Sequence, residues 1–135
     1  MKGVYVLLIR LESGFSEIIG ALGEKHFDEG FYAYVGSAQM SLEGRVRRHF
    51  KKEKRKFWHI DYFLGNPFVR IQSVYYKEAL RSEECAIARE IGKRSEAISG
   101  FGCSDCTCKS HFFRLDGSDF VLKGMSKLDL EILSF

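Results

Sequence analysis

The chain has 135 residues, about the usual size of one domain. It is 45% hydrophobic, 14% aromatic and 29% charged, with a single proline, which excludes a disordered chain, a collagen-like repeat and a proline-rich linker. The net charge of +3 says little, but Glu43 to Lys56 sets eight basic residues against two glutamates, so the rest of the chain is net negative.

The longest apolar run, Val4 to Ile9, is six residues, far short of the roughly 20 that cross a bilayer. It is followed by Arg10 and no small-residue cleavage site. The expectation is one domain over residues 1–135, cytoplasmic, with no membrane partner.

In chain order, Gly3 to Leu11 reads as a buried strand ended by charge and then Ser13-Gly14. Phe15 to Leu22 is a further strand candidate of ambiguous period. Phe31 to Val35 alternates aromatic and small residues between Gly30 and Gly36 and reads as a strand. A helix capped by Ser41 is expected to run to about Lys52, with Leu42, Val46 and Phe50 forming its buried stripe. Arg45 and His49 flank that stripe, while Arg47, Arg48 and Lys51 point outward. Phe57 to Leu64 reads as a short aromatic helix stopped by Gly65-Asn66-Pro67, and Val69 to Tyr76 as a strand. Ser82 to Ala97 reads as a helix capped by Ser82. After an irregular Gly- and Cys-rich stretch, Gly100 to Ser110, the runs His111 to Leu115 and Phe120 to Lys123 flank Asp116-Gly117-Ser118-Asp119 as a hairpin. Elements that alternate in this way predict a single α+β domain.

Four groups of residues bear chemistry. The basic run supplies Arg47, Arg48, Lys51 and Lys52 as candidate nucleic-acid contacts, the plainer alternative being a solvated helix face. Early in the Ser82 helix, Glu84 lies three residues before Ile87 and points inward, with Glu83 close behind as the second candidate. His59 and Asp61 form either a polar pair or a satisfied core group. Cys103-x-x-Cys106-x-Cys108-x-x-His111 offers four ligands for Zn²⁺, the alternative being small thiols in a Gly-rich loop, while Cys85 stands alone.

Gly3-Val4-Tyr5, then Tyr34-Val35-Gly36 some 30 residues later, then Leu42-x-x-Arg45-x-x-x-His49 on a helix resembles the GIY-YIG nuclease superfamily. The resemblance is closer to a small branch sometimes fused to endonuclease III homologues, on Tyr34-Val35-Gly36-Ser37-Ala38, Trp58-His59-Ile60-Asp61-Tyr62, Glu84-Cys85 and the run from Gly100 to His111. It implies a small central antiparallel sheet of three core strands flanked by helices, with a C-terminal Cys-rich loop and hairpin. It also implies a divalent-metal-dependent phosphodiesterase, an endonuclease acting on DNA or another nucleic acid, with Mg²⁺ or Mn²⁺ held by Glu84. Tyr5 would be the base or water-positioning group, Tyr34 its partner, Arg45 the phosphate-binding cation, His49 a phosphate or proton-relay contact, and Ser37 a nucleic-acid contact. Ser37 stands where many catalytic members carry Lys, and Glu96 stands near where their Asn falls. A nucleic-acid-binding module with a degenerate site is therefore the second expectation.

Overall fold

In the computed structural model, which describes residues 1–102, 108–116, 128 and 130–133, the chain alternates strands and helices much as its patterning predicts. The described elements are β1 (Gly3–Leu11), β2 (Phe15–Ile18), a single 3-10 turn (Gly20–Leu22), β3 (Glu24–Phe27), β4 (Gly30–Ala38), α1 (Leu42–Phe50), α2 (His59–Leu64), β5 (Val69–Lys77), α3 (Ser82–Gly92), β6 (Glu96–Ala97), β7 (Phe112–Leu115) and β8 (Glu131–Ile132). The fold is α+β. No described helix is long and apolar enough to cross a membrane.

The main sheet has six strands in the order β6-β7-β4-β1-β5-β8, every pair antiparallel. It is larger than the three strands the resemblance implies. β1, β4 and β5 are that core, nine residues each, and short strands extend it at both edges. β2 and β3 pair only with each other. The stretch from Phe15 to Leu22 is thus half strand and half turn.

β1 has no solvent face, which is why its apolar run does not alternate. Tyr5, Leu7, Ile9 and Leu11 point into a cluster with Leu42 and Val46 of α1 and Ile60, Phe63 and Leu64 of α2. Val4, Val6 and Leu8 point the other way, against Ile87, Ala88 and Ile91 of α3. Helices on both faces bury a central strand completely.

The helices depart from expectation at their ends. Ser41 does cap α1, its hydroxyl accepting from the Gly44 amide at 3.0 Å, but the helix stops at Phe50 and not near Lys52. There the Lys54 ammonium donates to the carbonyls of His49 and Lys51, among the acceptors a helix end leaves unpaired. Leu42 and Val46 are buried as the stripe requires, whereas Phe50 is 47% exposed and His49 takes its place inside. α3 begins at Ser82 with Arg81 at the cap position, and it ends at Gly92. Gly92 sits where an added Cβ would meet the Phe113 ring at 3.0 Å. Residues 96–97, expected in that helix, form a strand paired to β7. β7 realises the first half of the expected C-terminal hairpin; Phe120 to Lys123 lie outside the described residues.

Candidate active site

Tyr5 and Gly36 are partners in the β1–β4 ladder, and the pairing explains the glycine. A Cβ built on Gly36 would lie 2.5 Å from the Tyr5 hydroxyl oxygen, so only glycine lets the phenol ring lie across the neighbouring strand. Gly3 is similarly tied, since its Cβ would run into the Lys77 carbonyl on β5. The glycines that open and close the two motifs are thus close-approach positions of the central strands.

Beside this ladder lies a cleft of about 400 Å³, into which Tyr5, Tyr34, Ser37, Arg45 and Glu84 all converge. β1 supplies Tyr5, β4 supplies Tyr34 and Ser37, α1 supplies Arg45 and the first turn of α3 supplies Glu84. Trp58 and His111 complete its polar walls. Arg45 is half-buried; its Nη1 donates to the Ser37 carbonyl at 3.1 Å and its guanidinium stacks 4.5 Å over the Trp58 ring. A planar fork fixed in this way keeps donors for a phosphate at little entropic cost.

His49 lies beneath the cleft and not in it. Only 2% exposed, its Nε2 is 2.7 Å from the Tyr5 hydroxyl. Burial lowers its pKa to about 3, against the opposing pull of Asp61, so the ring is neutral. Its Nδ1 is buried without a hydrogen-bond partner. A buried N–H without an acceptor is the costlier orphan, so the ring proton belongs on Nε2, which donates to Tyr5. His49 thus supports the Tyr5 hydroxyl from beneath the cleft. Burial also pushes Tyr5 well above the ordinary phenol range, with the Arg45 cation opposing it. Burial pushes Tyr34 up as well, and the neighbouring Tyr5 adds to that. Both phenols are therefore neutral at rest.

Glu84 and Glu83 separate cleanly. Glu83 pairs with Lys77 at 3.4 Å and is half in solvent, whereas Glu84 is 17% exposed and its Oε2 lies 3.0 Å from His111 Nδ1. His111 is buried, and on its other side Nε2 lies 3.7 Å from the Cys85 sulfur. Cys85, Cys108 and His111 bring their ligand atoms within 4.8 Å of one another, close enough to hold a metal ion. Cys85, alone in the sequence, is thus brought to Cys108 and His111 by the fold. Cys103 and Cys106, expected as ligands, lie outside the described residues.

The basic run divides. Arg47 and Lys51 are exposed. Arg48, expected outward, turns back to form a two-pronged ion pair with Asp61 at 3.0 and 2.9 Å and stacks 4.4 Å from Trp58. Asp61 is fully buried and also accepts from the Phe57 and Trp58 amides. Burial alone would raise its pKa; the Arg48 and amide hydrogen bonds overcome that and hold it below the usual carboxylate range. Asp61 therefore pairs with Arg48, while the half-buried His59 ring meets Phe101 edge-on at 5.8 Å. Lys52 is exposed as a residue, yet its ammonium folds back and donates to the Leu64, Asn66 and Val69 carbonyls across the turn from α2 to β5.

No curated protein and no solved structure is significantly similar to the chain. A family model described as a domain of unknown function, DUF123, matches residues 4–131. That span takes in every strand and helix around the cleft, and the chain belongs to the DUF123 family.

Proposed function

We propose that the cleft is a GIY-YIG-like phosphodiesterase site that cuts DNA with the help of Mg²⁺ or Mn²⁺. The observation that carries this reading is the convergence of Tyr5, Tyr34, Arg45 and Glu84, from four separate elements, on one cleft. Phosphodiester hydrolysis needs an oriented water, cations for the charge on the phosphoryl oxygens and help for the leaving oxygen.

Arg45 meets the second need, because its guanidinium is already fixed by Ser37 and Trp58. Tyr5 meets the first. Its oxygen receives the His49 Nε2–H, which fixes the ring, and its own hydroxyl, neutral at rest, is left to orient the attacking water as a donor. Tyr34, neutral and beside it, holds the same water or a phosphate oxygen as a donor. Glu84 fits the metal: it is a carboxylate on the cleft wall with one oxygen engaged by His111, and Mg²⁺ characteristically binds through one or two carboxylates and substrate phosphate. When bound, the ion would supply positive charge at the scissile phosphate. The sulfur-bearing group of Cys85, Cys108 and His111 suits a softer ion such as Zn²⁺, so the two metal chemistries fall to different residues.

The test is cleavage of labelled single-stranded, duplex and branched DNA in Mg²⁺ or Mn²⁺. Arg45→Ala and Glu84→Gln should each lower the rate on the order of 10²-fold or more with the fold intact. Tyr5→Phe should follow closely, because it removes only the hydroxyl. Wild-type protein that cuts none of these substrates overturns the enzyme reading. Salt-dependent binding without cleavage would then make the chain a nucleic-acid-binding module, with Arg47 and Lys51 as its exposed cations.

A further inference from the structure

We infer that Cys85, Cys108 and His111 form a zinc site and that Glu84 is the carboxylate that orients its histidine. The site is assembled from two distant parts of the chain, the first turns of α3 and the segment entering β7. Around tetrahedral zinc, with Zn–S about 2.3 Å and Zn–N about 2.0 Å, neighbouring donor atoms lie roughly 3.5–3.8 Å apart. The Cys85 sulfur and His111 Nε2 are 3.7 Å apart, and all three donor atoms lie within 4.8 Å of one another. Two sulfurs and one imidazole are a soft set that favours zinc over magnesium.

The tautomer points the same way. His111 faces Glu84 with Nδ1 at 3.0 Å, so Nδ1 carries the proton and donates it to the carboxylate. Nε2 is then the bare nitrogen, and it is the one turned toward Cys85. A metal-ligating histidine characteristically donates its second N–H to a carboxylate in this way, which fixes both ring and tautomer. His111 is 1% exposed on its side chain, so the ring is enclosed where it meets both partners.

The arrangement has a consequence for the cleft. Glu84 and Cys85 are consecutive on α3, so a metal bound to Cys85 and His111 fixes the Glu84 carboxylate from both its backbone and its Oε2. The zinc site itself does not rest on the phosphodiesterase reading. Its control of Glu84 in the cleft does.

The experiment is elemental analysis of the full chain, purified without a histidine tag, followed by zinc titration against a chromophoric chelator. About one zinc per chain is expected in the wild type, lost in Cys85→Ser and in His111→Gln. Glu84→Gln should retain zinc with affinity weakened about 10–100-fold, the usual effect of removing a carboxylate that orients a ligating histidine. Because His111→Gln can fail to fold, Co²⁺ substitution provides a second reading: the wild type should show a thiolate-to-cobalt absorption band that Cys85→Ser diminishes. These measurements need no nuclease activity, so inactive protein that binds zinc would sink the function proposed above and leave the metal site standing. Wild-type protein that takes up neither zinc nor cobalt overturns the site. So does a Cys85→Ser variant with undiminished zinc affinity, particularly if Cys103→Ser or Cys106→Ser abolishes binding instead.

Discussion

The two faces of the sheet are packed in different styles. The face toward α1 and α2 is aromatic: Phe63 alone lies 4.8–5.6 Å from the rings of Phe15, Phe27, Tyr32 and Phe112. The face toward α3 is mostly aliphatic, built from Val4, Val6, Leu8, Val35, Ile87 and Ile91. Most of the cleft's catalytic candidates belong to the first. The difference teaches where polar chemistry can be buried. Tyrosine, tryptophan and histidine bring an apolar body with a polar edge, so an aromatic layer can hold hydroxyls, a neutral imidazole and stacked guanidiniums without opening a hole. An aliphatic layer has no such edge, and α3 contributes to the cleft only from its exposed first turn.

That contrast can be broken most directly by truncation. Phe63→Ala should cost about 3–5 kcal/mol in urea denaturation, whereas Ile87→Val on the other face should cost about 0.5–1.5. A loss at Phe63 no larger than that at Ile87 would mean that the Phe63 ring is not packed among its four aromatic neighbours. Arg48→Ala should also cost about 3–5 kcal/mol, because it leaves the fully buried Asp61 carboxylate without its cation. Arg48→Ala combined with Asp61→Asn should recover part of that loss, as only a specific pair would.

The aromatic face also predicts a pH dependence. His49 is held neutral in the folded state to about pH 3, but in the unfolded chain it takes up a proton near its ordinary value of 6.5. The unfolded state therefore binds more protons in that window. Stability should be intact above about pH 6.5 and fall by about 1.4 kcal/mol per pH unit within the window, levelling off near pH 3, from this one group. Asp61 acts in the same sense further into acid: its contribution is present above the ordinary carboxylate range and lost as pH falls through its lowered folded value. Acid denaturation of His49→Gln should lack the first slope and keep the second. The smallest effect is expected on the surface. Arg47→Glu and Lys51→Glu should each change stability by no more than about 0.5 kcal/mol, while reducing the salt dependence of DNA binding by about one unit of slope apiece.

Much of this was legible in the order of residues. The period of α1 put Arg45 at the border of a buried stripe, and the position of Glu84 relative to Ile87 ranked it just ahead of Glu83, a choice that the Lys77–Glu83 and His111–Glu84 pairs then separate. What stayed hidden depended on partners distant in the chain. His49 and Phe50 are neighbours on one helix, and which is buried is decided by the Tyr5 hydroxyl 44 residues away. Arg48 faces outward on any helical projection; it turns because Asp61 is buried 13 residues on and needs a cation. Cys85 carries no local signal, as its partners are Cys108 and His111. The edge strands β6 and β8 are two residues each, too short to show a period.

Lys52 has a consequence that concerns order more than charge. The stretch after α1 is densely cationic, and a chain of like charges ordinarily repels itself and extends. Here one ammonium gathers three backbone carbonyls from the turn between α2 and β5, and Lys54 gathers two more from the end of α1. Carbonyl dipoles do for these ammoniums what a bound anion would do. Part of the cost of crowding the cations is thereby met within the fold, at Lys52 and Lys54.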